Sequence, residues 1–157
     1  MAVLKKLKEF LESNKVKYET LKHKEVYTAQ EIAAAQHVPG MELAKVVMVK
    51  ADGKDVMAVL PACYRIDVKK LKSAIGSKNV KLATEQEFKS LFPDCDIGAM
   101  PPFGNLYNVP VIAEKVLSAD EKIVFNAGTH KDTVKMKYSD FAKLAAPKLA
   151  EFSEHWV

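Results

Sequence analysis

Val46-Val47-Met48-Val49-Lys50-Ala51-Asp52-Gly53-Lys54-Asp55-Val56-Met57-Ala58-Val59-Leu60 reads as two apolar runs folded back on each other. Asp-Gly supplies the two positive φ angles that a two-residue hairpin turn requires. Neither run alternates strictly with polar residues, so both strands are expected to be central and covered on each face.

Working outward, Val3, Leu4, Leu7, Phe10 and Leu11 recur at helical spacing, which predicts an amphipathic helix from Val3 to Asn14. Val16, Tyr18 and Thr20 alternate with charged residues, as in an edge strand from Val16 to Leu21. Thr28-Ala29-Gln30-Glu31 and Thr84-Glu85-Gln86-Glu87 are capping boxes, each opening a helix. The first helix is stopped by Pro39-Gly40; the second runs through Leu91. Asp67 is placed to cap a helix reaching Ile75. Pro93 to Val109 is irregular. Strands follow at Pro110 to Ala113, Ile123 to Ala127 and Thr133 to Tyr138, the last with one wet face. Ser139 is expected to cap a final helix, which Pro147 interrupts before a terminal turn through Trp156. The sum is a mixed α/β domain, one unit over residues 1–157. The hairpin and the late strands are expected to share one mixed, mostly antiparallel central sheet surrounded by helices.

The 157 residues suffice for one substantial core, and 48% of them are apolar. Lys+Arg 24 against Asp+Glu 20 leaves +4, compatible with a phosphate-bearing partner without demanding one. No apolar run approaches the length of a membrane span, and the N-terminus lacks the apolar segment of a signal peptide. Cys63 and Cys95 are far apart and form no CxxC, which fits a reducing cytoplasmic setting; a single disulfide stays open. His23, His37, His130 and His155 show no metal-ligand spacing, so neither metal nor cofactor is expected. No GxGxxG, P-loop or GxSxG is present.

Three places could carry chemistry. Gly98-Ala99-Met100-Pro101-Pro102-Phe103-Gly104 joins two glycines and two prolines in a long loop with exposed-looking apolar side chains. Glycine lets amides face a ligand, and proline stiffens the turn, which together suit an oxyanion hole. The competing reading is a stiff surface turn with Phe103 folded into the core. Lys45 stands at the mouth of the first central strand, where its ammonium could reach a phosphate or carbonyl, or snorkel to water. Gly128-Thr129-His130 follows a strand: a hairpin loop, or a hydroxyl and imidazole that orient an ester or a water. Cys63, beside Tyr64 and Arg65, is a weaker candidate for a nucleophile, since no base is nearby in the sequence.

In order, these pieces resemble a known family. They are Leu43-Ala44-Lys45-Val46-Val47, Asp52-Gly53, Ala58-Val59-Leu60-Pro61, Arg65-Ile66-Asp67, Gly98-x-x-x-Pro102-x-Gly104, Pro110-Val111-Ile112 and Ala127-Gly128-Thr129. From about His23 to Leu144 the chain is similar to the YbaK and ProX trans-editing deacylases, a domain also inserted in bacterial prolyl-tRNA synthetases. The resemblance implies a YbaK-like α/β fold and hydrolysis of mischarged aminoacyl-tRNA, typically tRNA-Pro bearing a small wrong residue. The implied partners are the aminoacyl-tRNA acceptor end and a prolyl-tRNA synthetase. The implied catalytic residues are Lys45 and the loop Gly98, Ala99, Met100, Pro101 and Pro102. Tyr27, Thr28, Phe103, Gly104, Gly128, Thr129 and His130 are assigned to substrate binding. The family's cysteine-removing members carry Gly-Gly-Ile-Ser-Pro-Leu-Gly at the loop and no histidine matching His130. Met100 and Phe103 are therefore expected to reshape the pocket. The alternative to an enzyme is a module that binds aminoacyl-tRNA or a synthetase without turnover.

Overall fold

The computed structural model describes residues 4–22 and 43–155. The helix expected from Thr28, the candidate residues Tyr27 and Thr28, and His23, His37 and Trp156 lie outside the described residues.

The elements are α1 (Lys5–Ser13), β1 (Tyr18–Lys22), β2 (Ala44–Ala51), β3 (Lys54–Pro61), β4 (Tyr64–Ile66), α2 (Val68–Ile75), β5 (Val80–Leu82), α3 (Glu85–Phe88), β6 (Val111–Glu114), β7 (Lys122–Asn126), β8 (Asp132–Lys137), α4 (Tyr138–Ala145), β9 (Lys148–Ala150) and β10 (Ser153–His155). Short 3-10 turns occupy Lys89–Leu91, Gly104–Tyr107 and Lys115–Ala119.

The hairpin β2–β3 forms as its sequence demands. Asp52 and Gly53 take φ of 52° and 83°, and the ladder runs unbroken from Ala51↔Lys54 to Ala44↔Pro61. The Asp52 carboxylate also accepts the amides of Asn79 and Lys78, which hold its pKa below the ordinary value. Asp67 caps α2 by accepting the amides of Lys69 and Lys70. Thr84 and Glu87 complete a reciprocal capping box at α3.

A five-stranded sheet has the order β5-β2-β3-β6-β9. Its β5–β2 and β2–β3 pairs are antiparallel, and its β3–β6 and β6–β9 pairs parallel. Period-two alternation divides two cores across it. Ala44, Met48, Met57 and Val59 join the larger cluster with Phe103, Phe125 and Phe141. Val49, Ala58 and Leu60 join Leu71, Ile112 and Phe152 on the other side. The hairpin strands are thus covered on both faces.

Three expectations need correction. The late strands do not all join the hairpin: β7 and β8 form a separate antiparallel sheet with β1, in the order β1-β8-β7. β5 occupies the β2 edge at Val49–Ala51, and β7 is joined to the other end by an isolated parallel bridge, Leu43↔Val124. Ser139 does not cap α4. The helix begins at Tyr138, two residues before the start a Ser139 cap would set; the Tyr138 amide donates to the Glu121 carbonyl, and the N-cap Lys137 makes no side-chain cap. The end of the described chain is not a turn but β9 and β10, entered through Ala146 at φ 46°. The buried Glu114 carboxylate anchors that end, accepting the Phe152 amide and the Ser153 hydroxyl.

Candidate active site

Asp96 to Met100 and Gly128 to His130 are drawn together by hydrogen bonds. The Asp96 amide donates to the Gly128 carbonyl at 2.8 Å, and the Gly128 amide donates to the Ala99 carbonyl at 2.9 Å. The Ala99 amide closes the turn on the Asp96 carbonyl at 3.0 Å. His130 Nε2 lies 2.8 Å from the Ile97 carbonyl oxygen. Gly98 and Gly128 stand at φ of +85° and +97°, the left-handed region that favours glycine. Behind Gly128 sits Leu4: its amide donates to the Ala127 carbonyl at 2.9 Å, and a Cβ on Gly128 would lie 2.9 Å from Leu4 Cβ. The first turn of α1 therefore backs the loop.

The far end of the turn is fixed by packing. Phe103 is fully buried and meets Phe10, Phe141 and Phe125 edge-on, with ring centroids 5.6, 5.6 and 5.7 Å away. Burying that ring contributes about 1.5–3 kcal/mol, before about 0.5–1.5 for each aromatic pair. A Cβ on Gly104 would collide with the Val109 carbonyl oxygen. Ala99, Met100, Pro101 and Pro102 are buried as well. The apolar side chains of this loop are thus packed inward, contrary to the exposed appearance of the sequence. Phe103 and Gly104, assigned to substrate, hold the turn in place instead.

Main-chain donors can be counted. Pro101 and Pro102 have no N–H, and the Ala99 amide is spent on Asp96. The Gly98 and Met100 amides make no hydrogen bond among the described residues. Within residues 98–102, these two remain for a ligand. Planarity sets their direction. The Ala99 carbonyl shares a trans peptide plane with the Met100 N–H, so binding the Gly128 amide turns the Met100 donor the opposite way.

Lys45 pairs with Leu60 at the open end of the hairpin. Its half-buried ammonium donates one long bond, 3.4 Å, to the Ala62 carbonyl. An ammonium has three donors, so two remain unspent among the described residues. Burial lowers its pKa, while the neighbouring Cys63 opposes this. Among the described residues no hydrogen bond joins Lys45 to the Gly98 turn. The two are linked through the Leu43↔Val124 bridge, which sets the start of β2 beside β7, the strand that leads into Gly128.

Thr129 does not offer its hydroxyl to a ligand. It donates to Asp132 Oδ2 at 2.7 Å and accepts the amides of Lys131 and Asp132. Cys63 is pushed up in pKa by burial, an effect its own amide and Lys45 partly offset. A thiolate nucleophile is disfavoured there.

One feature of the site had no signal in the sequence. Cys95 Sγ lies 3.3 Å from the Tyr107 hydroxyl, which donates to Asp94 Oδ1 at 3.1 Å. Burial, foremost, pushes the Cys95 thiol up to about 11 and Tyr107 higher than its ordinary value. Lys6 covers the Tyr107 ring at 4.4 Å. Main-chain bonds such as those of Asp96 and Ile97 are equally silent in a sequence, since any residue can make them. Beside the turn, a cavity of about 360 Å³ is lined by Phe88, Phe92, Ile97 and Met100 together with Gln86 and Lys89. Met100 lines this cavity, and the fully buried Phe103 is not among its lining residues.

Among the described residues no group of three or more His, Cys, Asp or Glu side chains is placed to hold a metal ion. No described helix is long and apolar enough to cross a membrane.

A model of the aminoacyl-tRNA editing domain matches residues 23–144. The chain is 34% identical over 112 residues to the Multifunctional Ser/Thr-tRNA deacylase ProXp-y of Escherichia coli (strain K12), covering 69% of this chain and 66% of that protein. It is 28% identical over 90 residues to a Proline--tRNA ligase of Bacillus cytotoxicus, covering 57% of this chain and 16% of the ligase. The chain thus spans just under two thirds of the deacylase and a small part of the ligase. Among solved structures, hypothetical protein APE2540 superposes with a TM-score of 0.86 at 22% identity, covering 96% of this chain and 100% of that one. A candidate trans-editing enzyme for prolyl tRNA synthetase gives 0.82 at 19% identity, covering 96% of each. These two likenesses concern the fold.

Proposed function

The chain belongs to the aminoacyl-tRNA editing domain (YbaK/ProX) family, and on that premise we propose that it hydrolyses the ester joining a wrong amino acid to its tRNA. The observation that carries the reading is the Gly98–Met100 turn, where the Gly98 and Met100 amides have no partner among the described residues while the Ala99 amide between them is spent on Asp96. Donors held in place before reaction are what a developing oxyanion requires. An aminoacyl ester is already activated, so water can attack its carbonyl carbon without a protein nucleophile. The carbonyl electrons move onto oxygen, stabilised by the Gly98 and Met100 amides. Collapse breaks the bond to the ribose oxygen, which takes up a proton, leaving tRNA and the amino acid. The two unspent donors of Lys45 hold a phosphate of the terminal nucleotide or the aminoacyl carbonyl. Positioning, with help from the vicinal ribose hydroxyl, supplies much of the remainder.

The substrate is a tRNA bearing a small amino acid, with tRNA-Pro the first candidate and a prolyl-tRNA synthetase the candidate partner in trans. The names of the matched relatives, a Ser/Thr-tRNA deacylase and a Proline--tRNA ligase, support that range. A non-catalytic binding module is the second reading, favoured by the mild net charge of +4; the raised thiols of Cys63 and Cys95 weigh only against a cysteine nucleophile. Single-turnover incubation with alanyl-, cysteinyl-, seryl- and threonyl-tRNAs separates the two. Hydrolysis of at least one above the buffer rate supports the enzyme; binding without hydrolysis across the panel supports the module.

A further inference from the structure

The contact between His130 and the Gly98 turn adds a side-chain bond to a clasp whose other hydrogen bonds, Asp96 to Gly128 and Gly128 to Ala99, are main chain. The ring is 5% exposed, and its Cε1 lies 3.6 Å from where a Cβ on Gly98 would stand. Its Nε2 faces the Ile97 carbonyl oxygen at 2.8 Å. A carbonyl can only accept, so Nε2 carries the proton. The Ile97 carbonyl and the Gly98 N–H belong to one planar trans peptide and point opposite ways. Whatever fixes the carbonyl fixes the donor.

We propose that His130 is a positioning residue: by holding the Ile97 carbonyl it aims the Gly98 amide at the oxyanion of the ester under hydrolysis. Gly128 does the same for Met100 through the Ala99 carbonyl. The two donors are thus set from the same loop, one by a side chain and one by main chain. This departs from the expectation that His130 orients an ester or a water: its Nε2 is committed to the Ile97 carbonyl. The proposal rests on the deacylase reading for its consequence in rate, though not for its geometry.

The test compares His130→Ala, His130→Gln and the parent protein. Misplacing one oxyanion donor is expected to lower the single-turnover maximum of His130→Ala by about 10²-fold. The half-saturating protein concentration should stay within about 3-fold, since ground-state binding is untouched. His130→Gln, whose side-chain amide can reach the Ile97 carbonyl, should recover to within about 10-fold of the parent. Unchanged turnover in His130→Ala, or a folded His130→Gln no better than His130→Ala, overturns the proposal. Nuclear magnetic resonance supplies an arm independent of activity. The neutral His130 ring should be the Nε2–H tautomer, and the Gly98 amide should shift in His130→Ala and return in His130→Gln. An Nδ1–H tautomer overturns the proposal even if His130→Ala fails to fold. A parent that hydrolyses no ester while the Gly98 amide responds as stated sinks the deacylase reading and leaves the clasp standing.

Discussion

Lys45 and Gly98 are held by opposite means. Lys45 stands on a strand whose register is fixed by a ladder from Ala44↔Pro61 to Ala51↔Lys54 and by core on both faces. Gly98 stands in a turn with no regular structure, held by bonds to Asp96 and Gly128, one imidazole and one buried phenyl ring. The ladder places a side chain and tolerates its replacement. The turn places main chain, and its geometry depends on φ values and on space that a single methyl would fill.

The contrast can be broken by mutation. Lys45→Ala is expected to have the largest effect on rate, lowering single-turnover deacylation by about 10²–10³-fold, in the range of lost charge stabilisation. Its melting temperature should hardly move, because the ladder does not use the ammonium. Gly98→Ala should cost about 1–3 kcal/mol of stability, since φ is +85° at that position, and about 10²-fold in rate from the displaced donor. A denaturant melt beside the rate assay separates the two. A melted Lys45→Ala with an intact Gly98→Ala would reverse the comparison. Gly53→Ala acts at the far end of the hairpin, where an added Cβ would meet nothing within 4 Å among the described residues beyond its chain neighbours, and the φ of +83° is what objects. About 1 kcal/mol of stability should be lost there with the rate unchanged. The smallest effect is linked to pH. Burial lowers the folded pKa of Lys45 below its ordinary 10.5. Between the folded value and 10.5 the unfolded chain binds the extra proton, so stability should rise with pH in that window. Denaturant melts across the alkaline range should show this slope in the parent and lose it in Lys45→Met.

The same contrast explains what could be read in advance. Asp52-Gly53 carries its own φ requirement, Thr84 and Asp67 their own cap chemistry, so the hairpin and two helix starts are visible in sequence. Partner choice is not. The apolar pattern of Ile123 to Ala127 is the same whether the strand joins β2 or β8; in the fold β7 pairs with β8, while β5 takes the β2 edge at Val49–Ala51. Ser139 is a good capping residue, yet the Tyr138 amide finds the Glu121 carbonyl, and the helix begins without it. At the candidate site, Lys45 and the glycines of the turn were legible as residue types. The inward packing of Phe103, the saturated Thr129 hydroxyl and the commitment of His130 to Ile97 arise from contacts between segments about 20 or more residues apart or from local bonds that compete with a ligand.

The account stands on the Gly98 and Met100 amides and the Lys45 ammonium meeting one ligand. The direct measurement is a titration of the ¹⁵N-labelled protein with a stable amide analogue of 3′-aminoacyl-adenosine. The account predicts that the Gly98 and Met100 amide signals shift in saturable fashion and that Lys45→Ala weakens the same titration. Saturable binding that leaves both amides unmoved, or that Lys45→Ala does not weaken, would contradict it.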